Sequence, residues 1–294
     1  MNNKNIKTAS EGKYISIDDT RLYVVERGQG YPIIILHGGP GMDHHMFGDY
    51  LDALTDKYKL IFVDQRSQGH SDMTPENTWT LEQMAQDLHL LAKAMNLEDY
   101  AVLGHSFGAL VALQHAVNYP EDKVNTIISS GFPSSKFLDH VEFNLEIFEP
   151  KELREKVAAS WEREKTVETE EDVSSLLKDQ MPFHFANPLS PLLDEYLIRS
   201  SGAKLAPRML RHFAQEEYGG IEVQDQLKLI SVPMLVLVGR HDRVCSVKAA
   251  ETIANSVKNS ELVIFENSGH MTFVEENDLY ISAVRNFLER NIKK

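Results

Sequence analysis

Cysteine is almost missing from this chain: among 294 residues there is one, Cys245, which rules out an internal disulfide framework. Also missing is any apolar run of membrane-spanning length. The opening stretch "MNNKNIKTASEGKY" has no apolar core of the kind a secretory leader needs. A reducing, cytoplasmic setting without membrane insertion is therefore expected. Positive charge is scarce, since 30 Lys and Arg stand against 44 Asp and Glu, a net charge of −14. That balance repels phosphate backbones and argues against a nucleic-acid partner. Neither phosphate-cradling pattern, G-x-x-x-x-G-K-[ST] or G-x-G-x-x-G, occurs, so the glycine cluster Gly38, Gly39 and Gly41 needs another reason. What remains is 42% hydrophobic and 25% charged, the composition of a globule large enough to bury an ordinary core.

Short β-branched runs open the chain: "KYISI", "RLYVVERG" and "PIIILHGG", separated by the turn-prone "DDT" and "GQG". Next, "YKLIFVDQRSQGHSD" runs an apolar strand into a polar, glycine-containing loop. In "LEQMAQDLHLLAKAMN" the residues Leu81, Met84, Ala85, Leu88, Leu91, Ala92 and Met95 share one helical face. Strand "YAVLGHS", small-residue helix "FGALVALQHAVNYP" and strand "VNTIISSGF" follow. Strands alternating with helices predict βαβ units in a mostly parallel sheet flanked by helices. From residue 134 to 220 the rhythm changes to Glu- and Lys-rich helical patterns without a buried strand, which predicts a helical cap inserted between core segments 1–133 and 221–294. The alternation resumes with "VPMLVLVGRHDR", "VKAAETIANSV", "ELVIFENSGH" and "DLYISAVRNFLERN".

The chemistry gathers at strand ends. "GHSFG", Gly104 to Gly108, fits G-x-S-x-G where a strand meets a helix, a sharp turn that needs glycines beside its serine. Ser106 is the candidate nucleophile. A serine hydroxyl needs a base, and the base an orienting carboxylate. "LVLVGRHDR" and "LVIFENSGHM" end two later strands at Asp242 and His270, so the chain order is Ser106, Asp242, His270. Asp64 and Asp139 also follow strands but rank behind Asp242, and His241 lacks the glycine context of "NSGH". Acyl transfer also builds an oxyanion, which needs two preorganised N–H donors. Phe107, after the serine, supplies one, and Gly39 of "HGGPG" the other, with Gly38 next. His37 is expected to brace that loop. The adjacent pair His44 and His45 has no further ligands at metal spacing, so no metal is expected and these histidines are placed on the solvent side.

These motifs, in this order, resemble the α/β-hydrolases along the whole chain. "HGGPG" followed by "DQRSQGHSD" is most similar to the proline iminopeptidase branch, with Ser67 where that pattern has a glycine. The resemblance implies an α/β-hydrolase fold and a serine hydrolase that releases N-terminal residues, typically proline, from short peptides through an acyl-enzyme, without a cofactor. It also implies acidic cap residues that hold the substrate ammonium group, for which Glu216 and Glu217 in "QEEYGG" are the candidates. Two departures stand out: Phe107 follows the nucleophile, and Arg243 is the neighbour of Asp242, a cation that would repel an amine if it faced the pocket. A carboxylesterase or related small-molecule ester hydrolase with an apolar pocket under the cap is the alternative, and a non-catalytic ligand sensor a further one. Nothing in the sequence speaks to oligomeric state.

Overall fold

A computed structural model describes residues 12–122 and 124–292. The N-terminal stretch tested above for a leader lies, up to residue 11, outside the described residues. Eight strands form one sheet in the order β1-β2-β4-β3-β5-β6-β7-β8. The strands β1 (Lys13–Ile17) and β2 (Thr20–Arg27) pair antiparallel, and β2 runs antiparallel to β4 (Tyr58–Asp64). From β4 through β3 (Tyr31–Leu36), β5 (Ala101–His105), β6 (Asn125–Ser129), β7 (Met234–Gly239) and β8 (Ser260–Phe265) every pairing is parallel.

A parallel sheet must be covered on both faces, and the strand sequences reflect this. Ile34, Leu36, Val102 and Val236 point into one apolar cluster, with helices α1 (Leu81–Ala94), α2 (Phe107–Asn118) and α8 (Val247–Ser256). Their neighbours Ile33, Ile35, Leu103 and Leu237 point into a second, closed by Tyr280, Val284, Phe287 and Leu288 of α10 (Asn277–Asn291). Each such side chain, fully buried, contributes roughly 1.5–3 kcal/mol. Thr80 starts α1 by accepting the Gln83 N–H at 3.1 Å.

Between β6 and β7 lie five helices: α3 (Asp139–Ile147), α4 (Lys151–Arg163), α5 (Glu170–His184), α6 (Pro191–Arg199) and α7 (Pro207–Gln215). The Glu- and Lys-rich pattern that reads as one long helical stretch is interrupted at Val167–Thr169, where Thr169 and Asp172 cap each other's backbone and restart the chain as α5. A short helix α9 (Thr272–Glu275) follows β8 and precedes α10. The helices between β6 and β7 roof the carboxyl ends of β3, β5, β7 and β8, where the candidate residues emerge.

Candidate active site

The turn between β5 and α2 carries Ser106 at φ 53 and ψ −119, a backbone conformation that L-residues rarely occupy and that costs about 1–3 kcal/mol. It persists because the neighbours leave no alternative. A Cβ on Gly104 would stand 2.1 Å from the Gly108 carbonyl oxygen, and one on Gly108 would stand 2.4 Å from that of Leu36. Both glycines of "GHSFG" are thus required by close approach of backbone to backbone. The Ser106 N–H is anchored on the Ser129 carbonyl at 2.9 Å.

Asp242 and His270 leave the ends of β7 and β8 and meet. The His270 Nδ1 lies 3.1 and 3.0 Å from the two Asp242 carboxylate oxygens, and both side chains are buried. Burial pushes the Asp242 carboxyl up, but His270 and the N–H groups of Cys245 and Val244 outweigh it and hold it below the usual range. Ser106 and His270 line one cavity under the cap, together with Gly39 and Phe107. In the "HGGPG" loop the Gly38 N–H is directed at the Met46 sulfur (3.1 Å), the Gly41 N–H donates to Gln68 (2.6 Å), and Pro40 has none. Gly39, at φ +101, is the loop's remaining donor at the cavity wall. His37 hydrogen-bonds the Gly38 carbonyl through Nδ1 at 2.8 Å and accepts the Gln65 N–H through Nε2 at 3.2 Å, tying the loop to the end of β4.

The competing acids take other positions. Asp139 is exposed at the start of α3, and His241 is exposed beside Asp242. Asp64 is fully buried and accepts the backbone N–H groups of His44 (3.0 Å) and His70 (2.9 Å), shaping two loops. His44 departs from expectation. It is buried rather than facing solvent, because its Nδ1 pairs with Asp64 at 2.7 Å. His45 is half-buried against Asp43 at 3.0 Å.

The cap acids Glu216 and Glu217 are both exposed, and neither lines the cavity. Their segment does reach it, through Tyr218. Glu217 and Tyr218 both take positive φ (48 and 55), and that turn drives the tyrosine inward while leaving the acids in water. The Tyr218 hydroxyl donates to Glu164, which also accepts from Gln180 at 2.6 Å. Glu164 is the one carboxyl among the described cavity-lining residues. It is 4% exposed, and burial pushes it up to about 7. A signal for it existed: Val157, Ser160 and Glu164 follow the inward stripe of α4 at helical spacing.

Arg243 does not face the cavity. Its guanidinium donates to the carbonyls of Phe183 (3.2 Å), Phe185 (2.6 Å) and Ala186 (3.2 Å) and lies 5.2 Å over the Phe148 ring. The same cap strap accepts the His270 N–H at the His184 carbonyl (2.7 Å), and its Ala186 N–H donates to Glu275 (2.8 Å). Glu275 in turn accepts the Gly269 N–H at 2.7 Å.

Residues 31–277 match the sequence model of the alpha/beta hydrolase fold. The chain belongs to that family. Among curated members it is 29% identical over 275 residues to the proline iminopeptidase of Clostridium botulinum, covering 90% of this chain and 92% of the relative. It is 29% identical over 291 residues to that of Saccharolobus solfataricus, covering 92% and 88%. Among solved structures, an esterase from Exiguobacterium antarcticum superposes with a TM-score of 0.75 at 26% identity, covering 95% of this chain and all of the other. The α/β-hydrolase is therefore a hydrolase by kinship, and among its described residues no helix is long and apolar enough to cross a membrane.

Proposed function

We propose that the protein is a serine hydrolase of the proline iminopeptidase kind, cleaving one N-terminal residue from short peptides through an acyl-enzyme. The observation that carries the substrate side is Glu164, a single carboxyl set in an otherwise uncharged acyl cavity and supported there by Tyr218 and Gln180. Such a group suits an ammonium ion arriving with the substrate. The names of the curated relatives support the same reading.

In this mechanism Ser106 Oγ attacks the scissile carbonyl carbon while His270 takes its proton. Asp242, hydrogen-bonded to Nδ1, fixes the imidazole and offsets the positive charge it gains. The oxyanion is met by the N–H groups of Phe107 and Gly39. Collapse breaks the C–N bond as His270 returns the proton to the leaving amine. Water, deprotonated by the same histidine, then attacks the acyl ester, releasing the free residue and Ser106. The Glu164 carboxylate pairs with the substrate's α-ammonium throughout, and no cofactor takes part. The same proposal has the reaction in the cytoplasm, a setting that the single cysteine supports.

A second reading, a carboxylesterase, is favoured by the remaining lining, where Met42, Met46, Leu110, Phe132, Val141 and Leu177 offer an apolar acyl surface. Purified protein assayed on a prolyl arylamide and on short-chain aryl esters separates the two. Turnover of the arylamide supports the peptidase, whereas ester turnover alone replaces it with the esterase. Ser106→Ala should remove either activity by several orders of magnitude while the protein stays folded. Undiminished turnover in that variant would refute the nucleophile.

A further inference from the structure

At the opposite end of α2 from the Ser106 turn, about 13 Å along the helix at its rise of ~1.5 Å per residue, three metal-ligating side chains converge. His89 comes from α1, His115 from the last turn of α2, and Asp122 from the turn before β6. His89 Nδ1 lies 2.6 Å, and His115 Nε2 3.1 Å, from the same Asp122 oxygen, Oδ2. All three donor atoms fall within 4.8 Å of one another. The Tyr119 ring stacks on His89 at 4.2 Å and 16° and on His115 at 5.5 Å and 29°, holding both imidazoles in place. The side chains are 10%, 2% and 16% exposed, so the cluster is largely dry yet open to solvent on one side. It takes no part in the mechanism proposed above.

We propose that His89, His115 and Asp122 form a binding site for a divalent transition metal of the zinc class. Two imidazole nitrogens and one carboxylate oxygen are the donor set such ions take, with water completing the shell. Tetrahedral ligands about 2.0–2.1 Å from zinc stand roughly 3.3 Å apart. The His115 pair is already near that spacing, and the His89 pair reaches it by opening about 0.7 Å, a small side-chain adjustment. Entry of the ion replaces the two imidazole hydrogen bonds to Asp122, leaving that from the Tyr100 hydroxyl (3.5 Å), and each imidazole then carries its proton on its other ring nitrogen. The chain's net charge of −14 attracts cations. A bound ion would tie α1, α2 and the turn before β6 at one point, raising stability by mass action without touching the hydrolytic site.

The test uses the full chain without a polyhistidine tag, freed of metal by chelation and titrated with Co2+. The expected result is one equivalent bound with visible d–d absorption of a low-coordinate site, bleached by Zn2+, and a melting temperature that rises with Zn2+. His89→Gln/His115→Gln, whose amides can still bond Asp122, should lose the absorption and the rise while melting like the wild type in chelator. A second cluster, Asp43, His44, Asp64 and His70, provides the control. His70→Asn should leave the Co2+ spectrum unchanged. No Co2+ absorption in the wild type, or an unchanged titration in the double variant, overturns the proposal. So does loss of the signal in His70→Asn alone.

Discussion

Replacing Glu164 by glutamine should separate amide from ester hydrolysis, because the two differ at the acyl end in whether a cation must be held. The carboxyl is 4% exposed and stands at about 7 in the folded protein. A buried ammonium–carboxylate pair that loses one partner forfeits about 2–4 kcal/mol. At roughly 1.4 kcal/mol per factor of ten, kcat/KM for a prolyl arylamide should fall about 30- to 1,000-fold. An aryl ester lacking an amine should lose little. Tyr218 can accept as well as donate, so a glutamine at 164 stays hydrogen-bonded and the cavity keeps its shape.

A pH series tests the same reasoning in the wild type. The ratio of arylamide to ester efficiency cancels what the shared catalytic groups contribute and leaves the amine anchor. Between pH 7.5 and 6 the ionised fraction of a group near 7 drops about eightfold, and the ratio should fall with it, by roughly five- to tenfold. Stability should run the other way. Burial raises the folded value above the unfolded 4.5, so the protonated form is the favoured one. The stabilisation is complete below about 4.5 and is lost as pH rises through about 7. That gap, at about 1.4 kcal/mol per pH unit, bounds the loss at ~3.5 kcal/mol. Glu164→Gln should therefore equal or exceed the wild type in stability at pH 8 while being the poorer amidase. A ratio that is flat with pH and unmoved by the substitution refutes the role of Glu164.

Arg243→Met should loosen the cap strap, since it strips the partners from the Phe183, Phe185 and Ala186 carbonyls. We expect a loss of about 2–4 kcal/mol in urea unfolding and faster proteolysis in the cap. Wild-type protection there would contradict the clamp. Gly108→Ala should cost 3 kcal/mol or more, its Cβ meeting the Leu36 oxygen at 2.4 Å; the soluble yield and melting temperature are the readouts. At Ser67, φ is 59 and the hydroxyl accepts from the Thr74 N–H (2.9 Å) and the buried Trp79 Nε1 (3.0 Å). Ser67→Ala loses those bonds and keeps the strain, about 1–2 kcal/mol in all. Ser67→Gly loses them but relaxes the backbone, and should be milder by about 1 kcal/mol in the same unfolding assay.

The mostly parallel character of the sheet could be read because its core strands are β-branched runs alternating with helical patterns and ending in glycine or a polar loop, a pattern fixed by burial on both faces, whereas their order in the sheet could not. The placement of Ser106, Asp242 and His270 on one edge follows from the same pattern, since each lies within a few residues of the end of such a run. The acyl cavity could not be read this way. Its walls come from α3, α4, α5, α6, α7, the turn at Tyr218, the loop after β3 and the start of α2, brought together only by tertiary packing. In a stretch crowded with acids, the family resemblance pointed to Glu216 and Glu217, whereas the backbone turn at Glu217 and Tyr218 leaves those two in water. Glu164 differs from the surrounding acids only in continuing the inward phase of α4 into the turn just past its end, a signal three residues long. The glycine replaced by Ser67 is explained by its positive φ, and the serine is tolerated because its hydroxyl gains partners that a glycine lacks.

Arg243 next to Asp242 posed the sharpest objection to an amine substrate, and its position removes the objection by giving the cation different work. A guanidinium has five donors, and here three backbone carbonyls of the cap take its hydrogen bonds, so its charge is directed away from the cavity. The strap it holds is also the strap whose His184 carbonyl receives the His270 N–H and whose Ala186 N–H meets Glu275, itself bonded to Gly269. Cap and candidate base are thus joined through the adjacent backbone N–H groups of Gly269 and His270. Any cap movement large enough to admit a substrate by breaking this strap would also displace the imidazole from Asp242. Helix α3 is tied to the same place, since His140 donates to the Asp242 carbonyl (3.1 Å) and Asn144 to that of Arg243 (3.2 Å), so entry that spares the acid and base must proceed by motion elsewhere in the cap. Such motion leaves the acid and base in register while the acyl cavity fills.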